Sequence, residues 1–151
     1  TRITEGLKWQ LSKLKKFDFA SNKQNIFIVG DCSTGKTSLA STLGMNALEK
    51  GAKVIYITLD DLLIEYKVKK KVWNNILNVD LLIIDDVFYI APTEEELVLI
   101  YKILIFLQET RSIIIVTNRP LSSWKEMKVY SHLMETLQKR LMQGAQLISL
   151  A

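Results

Sequence analysis

The 151-residue chain contains one cysteine, one histidine, two prolines and four arginines. Each scarcity removes a class of protein. A single thiol, Cys32, cannot form an internal disulfide, and a reducing cytoplasm is its natural compartment. One histidine, His132, with no cysteine pair leaves no ligand set for a zinc site, so it is read as an ordinary surface or half-buried residue. No low-complexity tract is present, nor any internal repeat beyond the alternation of strands and helices. The longest apolar run, residues 97–107, is interrupted by Lys102 and is too short to span a bilayer, so no membrane partner is expected. No signal peptide is visible, and the start at Thr1 leaves open what precedes it. Twenty Lys and Arg against sixteen Asp and Glu give a net charge of +4. That mild excess permits nucleic acid as a partner without demanding it.

What is present is a core and a loop. With 48% hydrophobic residues the chain is long and apolar enough for one globular domain. The stretch "NIFIVGDCSTGKTSLA" fits G-x-x-x-x-G-K-[ST], the phosphate-binding P-loop, between an apolar strand at residues 26–29 and a helical segment at residues 37–48. Glycines at both ends let the backbone curl so that successive N–H groups point inward, and the following helix adds its free N–H groups and positive dipole end. Gly30, Asp31, Cys32, Ser33, Thr34, Gly35, Lys36, Thr37 and Ser38 are therefore the expected nucleotide-binding residues. Lys36 supplies a point charge for the β- and γ-phosphates, and is expected to face solvent when no ligand is bound. The Thr37 hydroxyl is placed to ligate Mg²⁺.

Further along, residues 4–16 read as an amphipathic helix with Leu7, Leu11 and Leu14 on one face. A strand follows the P-loop helix at residues 53–58, and a helical stretch from Asp60 breaks up near a lysine cluster. "VDLLIIDDV" is an apolar strand ending in Asp85 and Asp86. Pro92, Thr93 and Glu94 to Glu96 make a helix start, because acids there suit the dipole, and that helix runs to Glu109. "SIIIVTNRP" is another apolar strand, a helix covers residues 131–142, and residues 145–150 form a last strand. Continuous apolar strands alternating with helices predict an α/β fold, a parallel sheet covered on both faces.

Ligands in such sheets bind at the carboxyl ends of the strands. The P-loop, Asp85 with Asp86, and Thr117 with Asn118 are all assigned there. Asp85 at the end of an apolar strand has the Walker B pattern and would hold Mg²⁺ through its water shell, while Asp86 could polarise an attacking water. A capping Asp-Asp in an ordinary turn is the plain alternative. Asn118 could orient water or touch the γ-phosphate, or simply form an Asx turn before Pro120.

The P-loop, "LLIIDD", "IIIVTNRPLSSW" and the terminal "LQKRLMQGAQLISL", taken in order, resemble the AAA+ ATPases of the DnaC/IstB group, relatives of the replication initiator DnaA. The "NRPLSSWKEM" segment leading to "KRLMQGAQLISL" is most similar to the IstB branch of transposition accessory ATP-binding proteins. The resemblance covers about residues 20–150. It implies a P-loop NTPase three-layer sandwich with strand order 5-1-4-3-2; as a departure from the family, no helical lid follows Leu150, so no separate lid domain is expected. The domain itself is set at residues 20–151, after an N-terminal helix and linker at residues 1–19. It further implies that Asp86 matches the catalytic acid, Asn118 sensor 1, and Arg140 an arginine finger working on ATP held between neighbouring subunits. Ser33 departs from the family's usual glycine, residues 60–79 are shorter than in most members, and no sensor 2 arginine follows Leu150.

The function so implied is Mg²⁺-dependent ATP binding and hydrolysis coupled to assembly on DNA, as a transposition accessory ATPase or a helicase loader. DNA, a replicative helicase or transposase, and further copies of the chain are the implied partners. "YKVKKKVW", with Lys67, Lys69, Lys70 and Lys71, could meet a phosphate backbone while Trp73 stacks on a base, or could be a solvated helix face. Residues 97–107 are apolar nearly all round, as a core helix or a subunit contact would be. Cys32 is a variable loop position whose modification should obstruct nucleotide. Two other functions stay open. One is a nucleotide-gated interaction module or inhibitor without turnover. The other is a P-loop kinase of a small metabolite, disfavoured because it needs an arginine-bearing lid to exclude water and the four arginines do not cluster.

Overall fold

A computed structural model of the chain describes residues 5–14, 16, 18, 19 and 22–150. The elements run α1 (Glu5–Leu14), β1 (Asn25–Gly30), α2 (Lys36–Glu49), β2 (Val54–Thr58), α3 (Leu59–Ile64), α4 (Trp73–Ile76), β3 (Leu81–Asp85), α5 (Glu94–Thr110), β4 (Ser112–Thr117), α6 (Ser131–Met142) and β5 (Gln146–Leu150). All strand pairs are parallel, in the order β2-β3-β4-β1-β5. That is the expected 5-1-4-3-2 read from the opposite edge.

The sheet is the middle of three layers, and the alternation of side chains along its strands builds both interfaces. Leu82, Ile84, Ile113, Ile115 and Phe27 pack with α5 and α6. Their neighbours Leu81, Ile83, Ile114, Val116, Ile26 and Ile28 pack on the other face with Leu43 and Ala47 of α2 and Leu11 and Leu14 of α1. Every residue of β3 and β4 is buried, which is why those segments read as unbroken apolar runs, whereas the edge strands β2 and β5 are only partly covered. Leu7, assigned to the apolar face of α1, has its side chain outside the described residues.

Local chemistry sets the helix boundaries. Thr93 and Glu96 form a reciprocal capping box at the start of α5: the Glu96 N–H donates to the Thr93 hydroxyl at 3.2 Å, and the Thr93 N–H to the Glu96 carboxylate at 2.9 Å. These bonds hold the Glu96 carboxyl below its usual range. Six residues of α5, Leu97, Ile100, Ile103, Leu104, Ile105 and Leu107, are core, so the helix is chiefly internal, with Phe106 half exposed. α3 passes into a π-helical turn, Glu65–Lys69, that stops at Lys70 in the left-handed region with φ 55°. The helix thus breaks at the lysine cluster, as the sequence predicts. Among the described residues no helix is long and apolar enough to cross a membrane.

Candidate functional site

Strands β3, β4 and β1 are neighbours, so the residues that follow their carboxyl ends meet in one place. The P-loop leaves β1 at Gly30. A Cβ there would stand 2.5 Å from the Thr34 hydroxyl and 2.9 Å from the Leu150 carbonyl, so only glycine fits. Gly35, at φ 83°, turns the chain into α2, whose N-terminus has no side-chain cap. Its first-turn N–H groups are left to an anion. Ser33 keeps an ordinary negative φ, so the loop closes without the family's usual glycine.

Lys36 differs from expectation. It is buried at 8% exposure, with Nζ donating to the Asp31 carbonyl at 3.3 Å. The same carbonyl accepts from the Thr34 N–H at 3.2 Å and the Thr34 hydroxyl at 2.8 Å. The ammonium is therefore folded into the curl of the loop rather than facing solvent, because the carbonyl is an acceptor close enough to hold it.

Thr37 Oγ1 donates to Asp85 Oδ2 at 3.2 Å, bringing the P-loop and the end of β3 into direct contact. The pair offers two hard oxygen donors. Among the described residues no group of three or more His, Cys, Asp or Glu could hold a metal. A hydroxyl and one carboxylate, with waters and phosphate oxygens completing the shell, is the arrangement Mg²⁺ accepts, so the residues fit that ion. Asn118, just past β4, donates from Nδ2 to Cys32 Sγ at 3.8 Å, which puts its amide beside the loop.

Asp86 takes a left-handed backbone at φ 54°, as does Phe88 at φ 58°. Two non-glycine residues so close together in that region store strain, and the surroundings impose it. The Asp86 N–H donates to Asp85 Oδ1 at 2.7 Å and the Val87 N–H to the Val116 carbonyl at 3.0 Å. The buried Thr117 hydroxyl donates to the Val87 carbonyl at 2.7 Å, and Arg119 Nε to the Phe88 carbonyl at 3.0 Å. The Phe88 ring packs edge-on against Trp124 at 4.8 Å, and Trp124 Nε1 donates to the Arg119 carbonyl at 3.2 Å. The Asp86 carboxyl is pushed above its usual range, first by burial and then by Asp85, with Lys36 opposing. A carboxylate raised in this way is a better proton acceptor.

Two participants escape sequence reasoning: Arg119, which clamps the turn together with the already assigned Thr117, and Tyr56, whose hydroxyl donates to Asp85 Oδ2. Burial, and then Asp85, push the Tyr56 phenol above its ordinary range. The available signal for Tyr56 is parity, since it shares a face of β2 with Val54 and Thr58, and Thr58 pairs with Asp85 in register.

The other assigned residues lie apart. Arg140, in the last turn of α6, bonds the Tyr101 hydroxyl at 3.0 Å and Glu109 at 2.7 Å. That turn leads into β5 and Glu109 into β4, so Arg140 sits at the amino ends of the strands, opposite the P-loop. Lys67, Lys69, Lys70 and Lys71 are exposed on the π-helical turn and just after it. Trp73 is not a free stacking platform: it is packed against the core and meets Tyr66 edge-on at 5.0 Å. His132 is exposed. A groove of about 460 Å³ runs beside Asp86, lined by Leu63, Ile64, Lys67, Val68, Ile90 and Pro92 among others.

A five-stranded parallel sheet of this order, with a P-loop following the internal strand β1 and paired carboxylates at the end of β3 two strands away, defines a P-loop NTPase. Within that class the chain belongs to the IstB-like ATP-binding proteins, whose family model matches residues 3–151. An IS21-like putative ATP-binding protein of Bacteroides fragilis is 32% identical over 123 residues, covering 78% of this chain and 47% of the relative. The chain spans about half the length of such relatives. Among solved structures, DnaI superposes with a TM-score of 0.77 at 13% identity, covering 97% of this chain and 84% of that one. AMPPCP-bound DnaA from Aquifex aeolicus superposes with a TM-score of 0.70 at 25% identity, covering 99% and 48%. Family, fold and loop together support ATP binding.

Proposed function

We propose that the chain is the ATPase module of an IS21-type transposition accessory protein, one that binds Mg-ATP, hydrolyses it and couples both to assembly on DNA. The observation that carries the reading is the contact of Thr37 with Asp85 at 3.2 Å, with Asp86 and Asn118 beside it on adjacent strand ends. Lys36 and the open N-terminus of α2 bind the phosphates. Thr37 and Asp85 hold Mg²⁺, which when bound supplies charge neutralisation on the phosphate oxygens. Asp86 accepts a proton from the attacking water, and Asn118 orients that water against the γ-phosphate. Lys67, Lys69, Lys70 and Lys71 meet the DNA backbone as point charges. A helicase-loader role remains within the same reading, because replication proteins share the fold.

A second reading, a nucleotide-gated interaction module with little turnover, draws support from the position of Arg140. Held by Glu109 and Tyr101 at the far end of the sheet, it does not serve its own site. An isolated chain would then bind ATP and turn it over slowly until a neighbour supplies the guanidinium. Steady-state ATPase rate and sedimentation, each with and without DNA, test both readings. ATP- and DNA-dependent association with stimulated turnover supports the ATPase. Association without turnover supports the module, and neither would overturn both.

A further inference from the structure

Asp85 is unusually occupied for a residue assigned to a metal. An ionised carboxylate offers about four lone-pair positions. Oδ1 accepts from the Asp86 N–H at 2.7 Å. Oδ2 accepts from Thr37 Oγ1 at 3.2 Å and from the Tyr56 hydroxyl. Three positions are therefore filled by this chain, and Oδ2, the oxygen nearer the P-loop hydroxyl, is full. The Thr37 bond is compatible with a metal, because the hydroxyl can donate its proton to Asp85 and offer a lone pair to the cation. The Tyr56 bond is different. It fills the last position on Oδ2, one that a water held by Mg²⁺ would otherwise use.

We propose that the Tyr56 hydroxyl competes with hydrated Mg²⁺ for Asp85 and so sets how strongly the metal promotes nucleotide binding. Tyr56 is well placed for exchange. Tyr56 is 41% exposed on the edge strand β2, so the hydroxyl can swing away to water at little packing cost. Two residues on, Thr58 caps α3 by accepting the Asp61 N–H at 3.2 Å, so release of Tyr56 occurs on the strand that leads into the lysine-bearing face. This makes Tyr56 a positioning residue rather than a group that touches ATP.

The inference rests on the reading of Thr37 and Asp85 as the Mg²⁺ site, and the test separates the two. The affinity of a fluorescent ATP analogue is measured by titration, once with Mg²⁺ and once with EDTA, for the wild type, Tyr56→Phe and Tyr56→Leu. The ratio of the two dissociation constants measures the coupling of metal to nucleotide. Losing one competing bond, taken at the strength of an ordinary hydrogen bond because the ring is exposed to water, should raise that ratio about three- to tenfold in both variants while leaving the EDTA value unchanged. A wild-type ratio of one would remove the metal site itself. A clear wild-type ratio that is unchanged in both variants overturns the competition alone. A lowered ratio overturns it too, because the hydroxyl would then be orienting Asp85 for the metal.

Discussion

Thr117→Val is the substitution that asks most of the structure. The side chain keeps its shape and loses one oxygen that makes two bonds: it donates to the Val87 carbonyl at 2.7 Å and accepts from the Arg119 N–H at 3.1 Å. Thr117 is fully buried, so water cannot replace the oxygen without rearrangement. An unpaired buried backbone group costs about 1–3 kcal/mol; the buried Val87 carbonyl bears that in full and the part-buried Arg119 N–H somewhat less, for a sum of about 2–5 kcal/mol. The turn they restrain carries Asp86 and Phe88 in the left-handed region, a strain of about 1–3 kcal/mol each, and partial relaxation of that strain offsets some of the loss. The expected destabilisation is therefore about 2–4 kcal/mol. Urea unfolding followed by circular dichroism should show the midpoint falling by roughly 1–2 M at unchanged slope. The same variant should bind ATP nearly as the wild type does and hydrolyse it poorly, because the P-loop is untouched while Asp86 loses its fixed backbone. A destabilisation under about 0.5 kcal/mol would refute the reasoning, since it would mean the turn holds its shape without Thr117.

The remaining predictions concern the nucleotide and its uses. Lys36→Ala should abolish ATP binding in a fluorescence titration; because Lys36 is buried against the Asp31 carbonyl, a thermal melt must accompany it, and retained affinity in a folded variant would sink the P-loop assignment. Asp86→Asn and Arg140→Ala should each bind ATP and lose turnover, by on the order of 10³-fold where an arginine finger is fully engaged. Mixing the two should restore activity at interfaces that pair an intact Asp86 with an intact Arg140, and no recovery in mixtures that co-assemble would exclude action in trans. Alanine at Lys69, Lys70 and Lys71 together should weaken DNA binding and flatten its salt dependence, whereas an unchanged slope would return these residues to solvated surface.

Where a feature depends on its own residues, it was legible. β3 and β4 are wholly apolar runs because they are buried on both faces, and the start of α5 was visible because Thr93 and Glu96 satisfy each other's backbone. The P-loop and the aspartates were legible as a site because strand–loop–helix order places them, and parallel pairing then brings them together. Features that depend on distant partners were not. In "DDVFYI" only the aspartates belong to a residue type that visits the left-handed region, and nothing there announces it for Phe88. That conformation is imposed by Val116, Thr117 and Arg119, thirty residues away in sequence. The burial of Lys36 is not legible, because a lysine in a polar loop looks solvated until the loop closes on it. Trp73 reads as available for stacking because its neighbours are lysines, yet the break at Lys70 leaves it on the core side of the chain.

Arg140 joins what was legible to what was not. Its place in the order of motifs follows from the sequence, but its partners follow from two helices ending side by side. α5 delivers Tyr101 and Glu109 to the same corner that the last turn of α6 reaches, with the guanidinium 5.9 Å from the Tyr101 ring centroid. Exposed ion pairs add little to stability, because water solvates both ends and salt screens them. Glu109 therefore restrains Arg140 weakly. If Arg140 acts in trans as proposed, a phosphate offered by a neighbouring subunit would present more charge and a bidentate match for the guanidinium, and would draw the side chain away. Tyr101 can remain beneath the moving arginine as a flat support. On this argument the pair with Glu109 is a resting position. Glu109→Gln should leave ATP binding alone and, in assembled protein, raise or preserve turnover; a fall in turnover would mean that Glu109 aims Arg140 rather than parks it.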